Sequence, residues 1–246
     1  RAFYEANLDL TDLVPEYSFF EPDSPIYTHP RFLPGSKING ATLRQAIISD
    51  GCIISDAHLE RSVIGIRSVI QSGATIRNSI VMGADYFELG LTDPSHPAMG
   101  IGKNCVIDRA IIEKNARIGD GVVIKPHVRV KFPWKLRIGN HSWIGEQAWI
   151  DNLADVHIGS HCCISQGVYL CTGNHRWDLD TFNLEARPIT IGDHGWIGAM
   201  SKVGPGVVVE QGAVLLLGGM APDKLESWSI YGGSPAQLIR KRPQIR

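Results

Sequence analysis

The stretch Ile138-Gly139-Asn140-His141-Ser142-Trp143-Ile144-Gly145-Glu146-Gln147-Ala148-Trp149-Ile150 places an isoleucine at every sixth position. The same spacing recurs in separate runs on both sides. Ile112, Ile118, Ile124 and Val130 precede it; Ile158, Ile164 and Leu170 follow; Ile191, Ile197, Val203, Val209 and Leu215 close the series. Earlier runs read Ile47, Ile53, Leu59 and then Ile64, Ile70, Ile76, Met82. A period of six fits neither the 3.6 of a helix nor the two of a strand. It fits a triangular coil whose flat sides each use one hexapeptide and send one aliphatic side chain inward. Three sides make a rung of about 18 residues, and stacked rungs bury a continuous aliphatic column. The expected fold is all-β, a single-stranded left-handed parallel β-helix. A β-sandwich would alternate apolar residues in twos between irregularly spaced turns.

The 246 residues carry 43% hydrophobic side chains, enough for a sizeable core, and a formal net charge of -1, which gives no bulk attraction to nucleic acid or membrane. Arg240, Lys241, Arg242 and Arg246 form a basic tail that reads as solvated, or as a contact for a phosphate. Five cysteines, Cys52, Cys105, Cys162, Cys163 and Cys171, lack any CxxC pair, and the adjacent two should face opposite ways. Buried thiols in a reduced, cytoplasmic protein are expected, with neither a disulfide framework nor a zinc site. No signal peptide and no long apolar run is present, so no membrane span is expected. The chain opens on Arg1 and looks cut from something longer.

The repeat divides the chain into a non-repeat segment (1–36), rungs over 37–120 and 121–219, and a terminal segment (220–246). Arg1 to Asp12 reads as a short amphipathic helix, and Ala236 to Arg242 as a short C-terminal helix. Two excursions, 83–100 and 171–188, interrupt the period, and excursions from a rigid scaffold are common places for function.

Two resemblances meet near residue 120. Phe3-Tyr-Glu-Ala-Asn7, Pro25-Ile-Tyr-Thr28, Arg31-Phe-Leu-Pro34, Met82-Gly-Ala-Asp-Tyr86 and Ala110-Ile-Ile-Glu-Lys-Asn-Ala-Arg-Ile-Gly119 resemble the C-terminal β-helix domain of bacterial ADP-glucose pyrophosphorylase (glucose-1-phosphate adenylyltransferase). The resemblance implies a weak effector site at Lys114 and Arg67. It does not extend to that family's catalytic domain, so the pyrophosphorylase reaction is not expected of this chain. Residues from about 121 to 242 resemble the colanic-acid-biosynthesis type of hexapeptide-repeat acetyltransferase. The strings are Trp143-Ile-Gly-Glu146, Trp149-Ile-Asp-Asn-Leu153, Leu170-Cys-Thr-Gly-Asn-His175, Trp196-Ile-Gly-Ala199 and Ile230-Tyr-Gly-Gly-Ser-Pro-Ala236. An engineered chimera of two β-helices is the expectation, with a natural fusion or a rearranged gene as the other reading.

This second resemblance implies an O-acetyltransferase acting on a sugar hydroxyl. Acetyl-CoA would be the co-substrate, with no tightly bound cofactor and no metal. The family is trimeric with active sites between subunits, so a homotrimer is implied. His175 would be the base, a role for which a side chain titrating near neutral pH is suited. Glu146, Asp151 and Asn152 lie on the preceding rungs; each is a candidate to orient His175, with holding the acceptor as the alternative role for Asn152. Each also reads simply as a corner residue, because Asn and Asp tolerate turns. Trp196, Ala199, Ser201, Leu217, Gly218 and Gly219 match the wall along which the pantetheine lies, and Arg240 and Lys241 match cationic positions that meet the CoA phosphates. The family's Thr-Lys before the last turn reads Pro222-Asp223 here, with Lys224 displaced.

His157, His161 and His194 should face solvent at repeat positions, while His29 and His96 stand beside prolines. All six tryptophans fall in the second half and suggest an outward aromatic stripe at a subunit interface. Two rival readings stand beside the enzyme: a non-enzymatic β-solenoid scaffold, and an effector-binding fragment.

Overall fold

The computed structural model describes residues 2–19, 22–26, 31–88 and 97–244. The chain is a left-handed parallel β-solenoid of about ten turns and, among the described residues, has one α-helix, Ala2–Asp9, at its start. His29, His96, Arg1 and Arg246 lie outside the described residues.

Each turn is a triangle with three faces. The first face stacks ten strands from Lys37–Asn39 to Lys224–Leu225. The second belongs to a thirteen-stranded sheet whose His58–Ile64 strand bends round a corner and pairs Thr75–Arg77 with one end and Ile80–Val81 with the other. The third face of the later rungs is a four-stranded sheet: Arg129–Val130, Trp149–Asp151, Tyr169–Cys171 and Lys202–Val203. Down the axis runs an aliphatic column that includes Ile54, Leu59, Ile64, Ile138, Ile144, Ile150, Leu215 and Leu225, all at most 1% exposed. Burying such a side chain stabilises by about 1.5–3 kcal/mol relative to leaving it in water.

The step between the second and third faces is six in the second half and five in the first. Leu59 to Ile64, Ile76 to Val81 and Ile107 to Ile112 are steps of five, whereas Ile124 to Val130, Ile144 to Ile150 and Ile164 to Leu170 are steps of six. Ile47 and Ile53, expected inside, are 36% and 41% exposed, and Met82 is half-buried. The early corner between the second and third faces is one residue shorter. Arg61 (φ 43°), Asn78 (46°) and Arg109 (51°) turn the chain there in the left-handed region.

Where the two corner lengths meet, the third face comes apart. Ile111–Ile112 pairs only with Ile80–Val81, and Arg129–Val130 only with Trp149–Asp151. The other two faces continue across the same level through Arg117–Ile118 and Val123–Ile124. One residue of strand is about 3.3 Å of length, enough to take a neighbouring strand out of register. The seam leaves an apolar void of about 30 Å³ between Ile112, Ile118, Val128, Val130 and Leu136. Outside it lies a groove of about 1190 Å³ between the N-terminal helix and the rungs, edged by Tyr4, Arg109, His127, Arg129 and Trp149.

The terminal segment differs from expectation. Ala236–Lys241 is a strand, antiparallel to Ser229–Gly233, and not a helix. The last rung would otherwise leave an unpaired strand edge, and covering it satisfies backbone groups that a helix would leave open. His161 is exposed as expected, and His157 and His194 are half-buried; the rings of His141, His161 and His194 stack along one corner with centroids 5.2 and 5.1 Å apart. Trp228 covers that stack at 6.1 Å from His194. Arg242 lies over the Trp228 ring at 5.6 Å and donates to the carbonyls of His194 and Gly212, both at 3.0 Å, so this part of the basic tail is held by the fold.

Candidate functional site

The second excursion is a hairpin. Gly173–His175 pairs antiparallel with Leu184–Ala186, and the tip carries exposed Trp177 and Phe182. His175 is exposed near the tip. Its Nδ1 lies 2.8 Å from the Phe182 carbonyl, and its ring stacks on that of Phe182 at 4.4 Å and 6°. A carbonyl only accepts, so Nδ1 carries the proton, and neutral imidazole then keeps its lone pair on Nε2.

At the foot of the hairpin the third face presents a polar cluster. Lys131 Nζ is 3.1 Å from Asp151 Oδ1, and the Tyr169 hydroxyl donates to Asp151 Oδ2 at 3.2 Å. Asp151 Oδ1 is buried without an aligned hydrogen bond. Burial pushes the Tyr169 phenol above its ordinary value, helped by Cys171 and Asp151. Asp151 belongs to the sequence reading; Lys131 and Tyr169 do not. A signal existed, because Lys131, Asp151 and Cys171 are twenty residues apart, as are Arg129, Trp149 and Tyr169.

Asn152 is fully buried and already spent. Its Oδ1 accepts from the Phe132 amide at 2.9 Å and its Nδ2 donates to the Phe132 carbonyl at 2.6 Å. The amide thus ties one rung to the next. Glu146 is exposed at the corner between the second and third faces, where its carbonyl accepts from Gly167 at 2.8 Å. His175 leaves from the far side of the third face, after Tyr169–Cys171, so one chain does not bring Glu146 to it.

The wall residues gather along the Glu146 edge. Trp196 donates from Nε1 to Ser165 Oγ at 3.0 Å. Ala199 is half-buried, and its carbonyl takes the Gly218 amide at 2.8 Å. Leu217 is 74% exposed. Gly218 has φ +66° with nothing within 4 Å of an added Cβ, so a ligand can approach this backbone closely. Ser201 is turned inward: its hydroxyl donates to Leu216 O at 2.9 Å and accepts from Gly219 N at 3.2 Å. Arg240 is exposed, whereas Lys241 donates to Ser229 Oγ at 2.9 Å. The displaced Lys224 is engaged by Glu210 at 2.9 Å and Glu226 at 3.3 Å.

The tryptophans form no single stripe. Trp143 and Trp196 lie on the second face, Trp149 stacks on Tyr169 on the third at 4.9 Å, Trp134 packs on Phe132, and Trp177 tips the hairpin. In the first half Lys114 and Arg67 converge on the start of the other excursion. Lys114 pairs with Asp85 at 2.9 Å and holds that carboxyl below the usual range, while Arg67 donates to Ala84 O and lies over Phe87 at 5.8 Å. A cavity of about 310 Å³ lies beside Arg67, lined also by Tyr86, Phe87 and Met99. Among the described residues no metal-ligating group of three or more gathers, and no helix is long and apolar enough to cross a membrane.

The resemblance of the first half is borne out, and for the second half the hexapeptide repeat and the fold are. The family model for the GLGC left-handed parallel β-helix domain matches residues 31–132, and that for the hexapeptide repeat of succinyl-transferase matches 188–216. A small subunit of glucose-1-phosphate adenylyltransferase from Triticum aestivum is 46% identical over 130 residues, which are 50% of this chain and 28% of that protein. The chain therefore spans under a third of this curated relative. A hexapeptide-repeat acetyltransferase of Vibrio cholerae shares the fold with a TM-score of 0.50 and 24% identity, over 52% of this chain and 74% of its own. A maltose O-acetyltransferase of Clostridium difficile does so with 0.50 and 18%, over 52% and 70%. The Vibrio protein has also been solved with acetyl coenzyme A.

Proposed function

We propose that the second half carries a CoA-dependent O-acyltransferase site for a sugar hydroxyl, with His175 as general base. The observation that carries this reading is the hydrogen bond from His175 Nδ1 to the Phe182 carbonyl, which leaves an unprotonated Nε2 on an exposed hairpin. Nε2 takes the proton of the attacking hydroxyl as its oxygen adds to the thioester carbonyl. Backbone amides near the donor carbonyl stabilise the oxyanion. Collapse breaks the carbon–sulfur bond, and the imidazolium returns its proton to the departing thiolate. A positioned acid–base group contributes about 10²–10⁴-fold to such a step.

The donor wall runs along the edge at Ala199 and Gly218, and His175 stands across the third face from it. A neighbouring copy would bring the two together, so the reading includes a homotrimer with shared sites. Glu146 on that wall edge then faces the partner's hairpin. Arg240 meets a CoA phosphate, while the engagement of Lys224 by Glu210 weakens the donor site. We also propose that the change of corner length near residue 120 marks a join between two β-helices of different origin.

The test is acetyl-CoA turnover with a panel of sugar acceptors, on the wild type and His175→Ala, with mass measured in solution. Turnover by a trimer, lost in the variant while donor binding persists, is expected. A folded protein that neither binds nor turns over acetyl-CoA would leave the scaffold reading. The effector reading is weakened by Asp85, which already neutralises Lys114.

A further inference from the structure

We infer that Phe182 is a positioning residue for His175, acting through its carbonyl and its ring together. The inference rests on the acyltransferase reading only for its kinetic consequence. Phe182 sits at φ +45°, a left-handed conformation that a bulky residue rarely adopts. The corners of the solenoid use the same conformation at residues such as Arg61 and Arg109, but Phe182 lies in the hairpin loop, away from any corner. Here the surroundings are a closed loop. The amide of Arg176 donates to Asn183 O at 2.9 Å, Leu179 to Arg176 O at 3.0 Å, and Phe182 to Leu179 O at 3.0 Å. An Arg176–Asp178 pair with contacts of 2.8 and 2.7 Å ties the other strand of the loop.

The left-handed turn aims the Phe182 carbonyl at Nδ1 at 2.8 Å. The same residue lays its ring flat on the imidazole, at 4.4 Å and 6°. The carbonyl accepts the proton on Nδ1, and the ring holds the imidazole in the plane where that bond can form, so losing the ring loosens both the tautomer and the direction of Nε2. Glycine is the residue ordinarily suited to this backbone. It would supply the carbonyl but not the stack, which gives a reason for a phenylalanine where the chain pays strain to keep one. Phe182 is 56% exposed, so burial in a core does not explain it.

Phe182→Gly tests the idea because it keeps the permissive backbone and the carbonyl while removing the ring, and Phe182→Leu keeps apolar bulk without a flat face. Two-bond proton–nitrogen correlation spectra of the imidazoles report the tautomer of His175 directly, without activity. Neutral wild-type His175 should be protonated at Nδ1, and both variants should shift toward a mixture with Nε2 protonated. If the acyltransferase reading holds, kcat falls roughly 10–100-fold in both, part of the contribution of a positioned base, with KM for acetyl-CoA unchanged. A wild-type His175 protonated at Nε2, or variants with the wild-type tautomer, would overturn the inference. Absent turnover in the wild type would count against the acyltransferase reading alone, since the spectra decide the role of Phe182 either way.

Discussion

Asn152→Ala separates a structural from a catalytic role for a buried amide. The variant removes the acceptor of the Phe132 amide and the donor to its carbonyl, at 2.9 and 2.6 Å. A buried group left without its partner costs about 1–3 kcal/mol. Phe132 is half-buried, so water recovers part of that loss, and a net destabilisation of about 2–3 kcal/mol follows for the two groups. For a domain of this size each kcal/mol moves Tm by about 2–4 °C, so a fall of roughly 4–12 °C is expected by calorimetry. Asn152→Asp is the control. It keeps the acceptor but sets a carboxylate against the Phe132 carbonyl, so it should be no more stable than the alanine variant at neutral pH. Turnover per folded molecule should stay within a few-fold of wild type in the alanine variant. A Tm within about 1 °C of wild type together with lost turnover would refute the reasoning and return Asn152 to the substrate.

Val130→Ile adds a methyl group beside the 30 Å³ void and should stabilise by about 0.5–1 kcal/mol, whereas Val203→Ile, at the matching position of a closed rung, should cost about 1 kcal/mol through overpacking; urea midpoints decide both. Burial pushes the Cys105 thiol up to about 11 and the Cys162 thiol up to about 12, and raises that of Cys52. An aromatic disulfide reagent at neutral pH should therefore label only the half-buried Cys163 and Cys171 until the protein is unfolded. Hydrogen bonds from Lys224 and from Ser227 hold the Glu210 carboxyl down, from 4.5 to about 2. A carboxylate lowered in the folded state contributes stability above its unfolded value that is lost as pH falls through its folded one. Glu210→Gln should therefore lower stability at pH 7 and flatten the acid loss between pH 4.5 and about 2, an effect weakened by salt.

The fold was legible because the core repeats. Ile138, Ile144 and Ile150 declare both the inward column and the length of a side. The slip to five residues in the first half was harder to read, because Ile53 and Ile54 are adjacent and identical; only corner geometry decides that Ile54 turns inward while Ile53 is exposed. The terminal strand was missed because Ala236–Lys241 carries no alternation, and its state is set by the open edge of Ser229–Gly233. His175 stood out by residue type and string. Its companion Phe182 did not, since the contact is made by a backbone carbonyl and a turn seven residues on. Asn152 was named for chemistry, while the hydrogen bonds that engage its amide with Phe132 leave no trace in a single sequence.

The central claim is a donor site joined to His175, and acetyl-CoA turnover by wild type and His175→Ala, with the mass of each species recorded alongside, tests it most directly. The account predicts a trimer in which both proteins bind acetyl-CoA and only the wild type releases CoA on adding a sugar acceptor. Equal release by both proteins, or no donor binding by a cooperatively folded wild type, would contradict it.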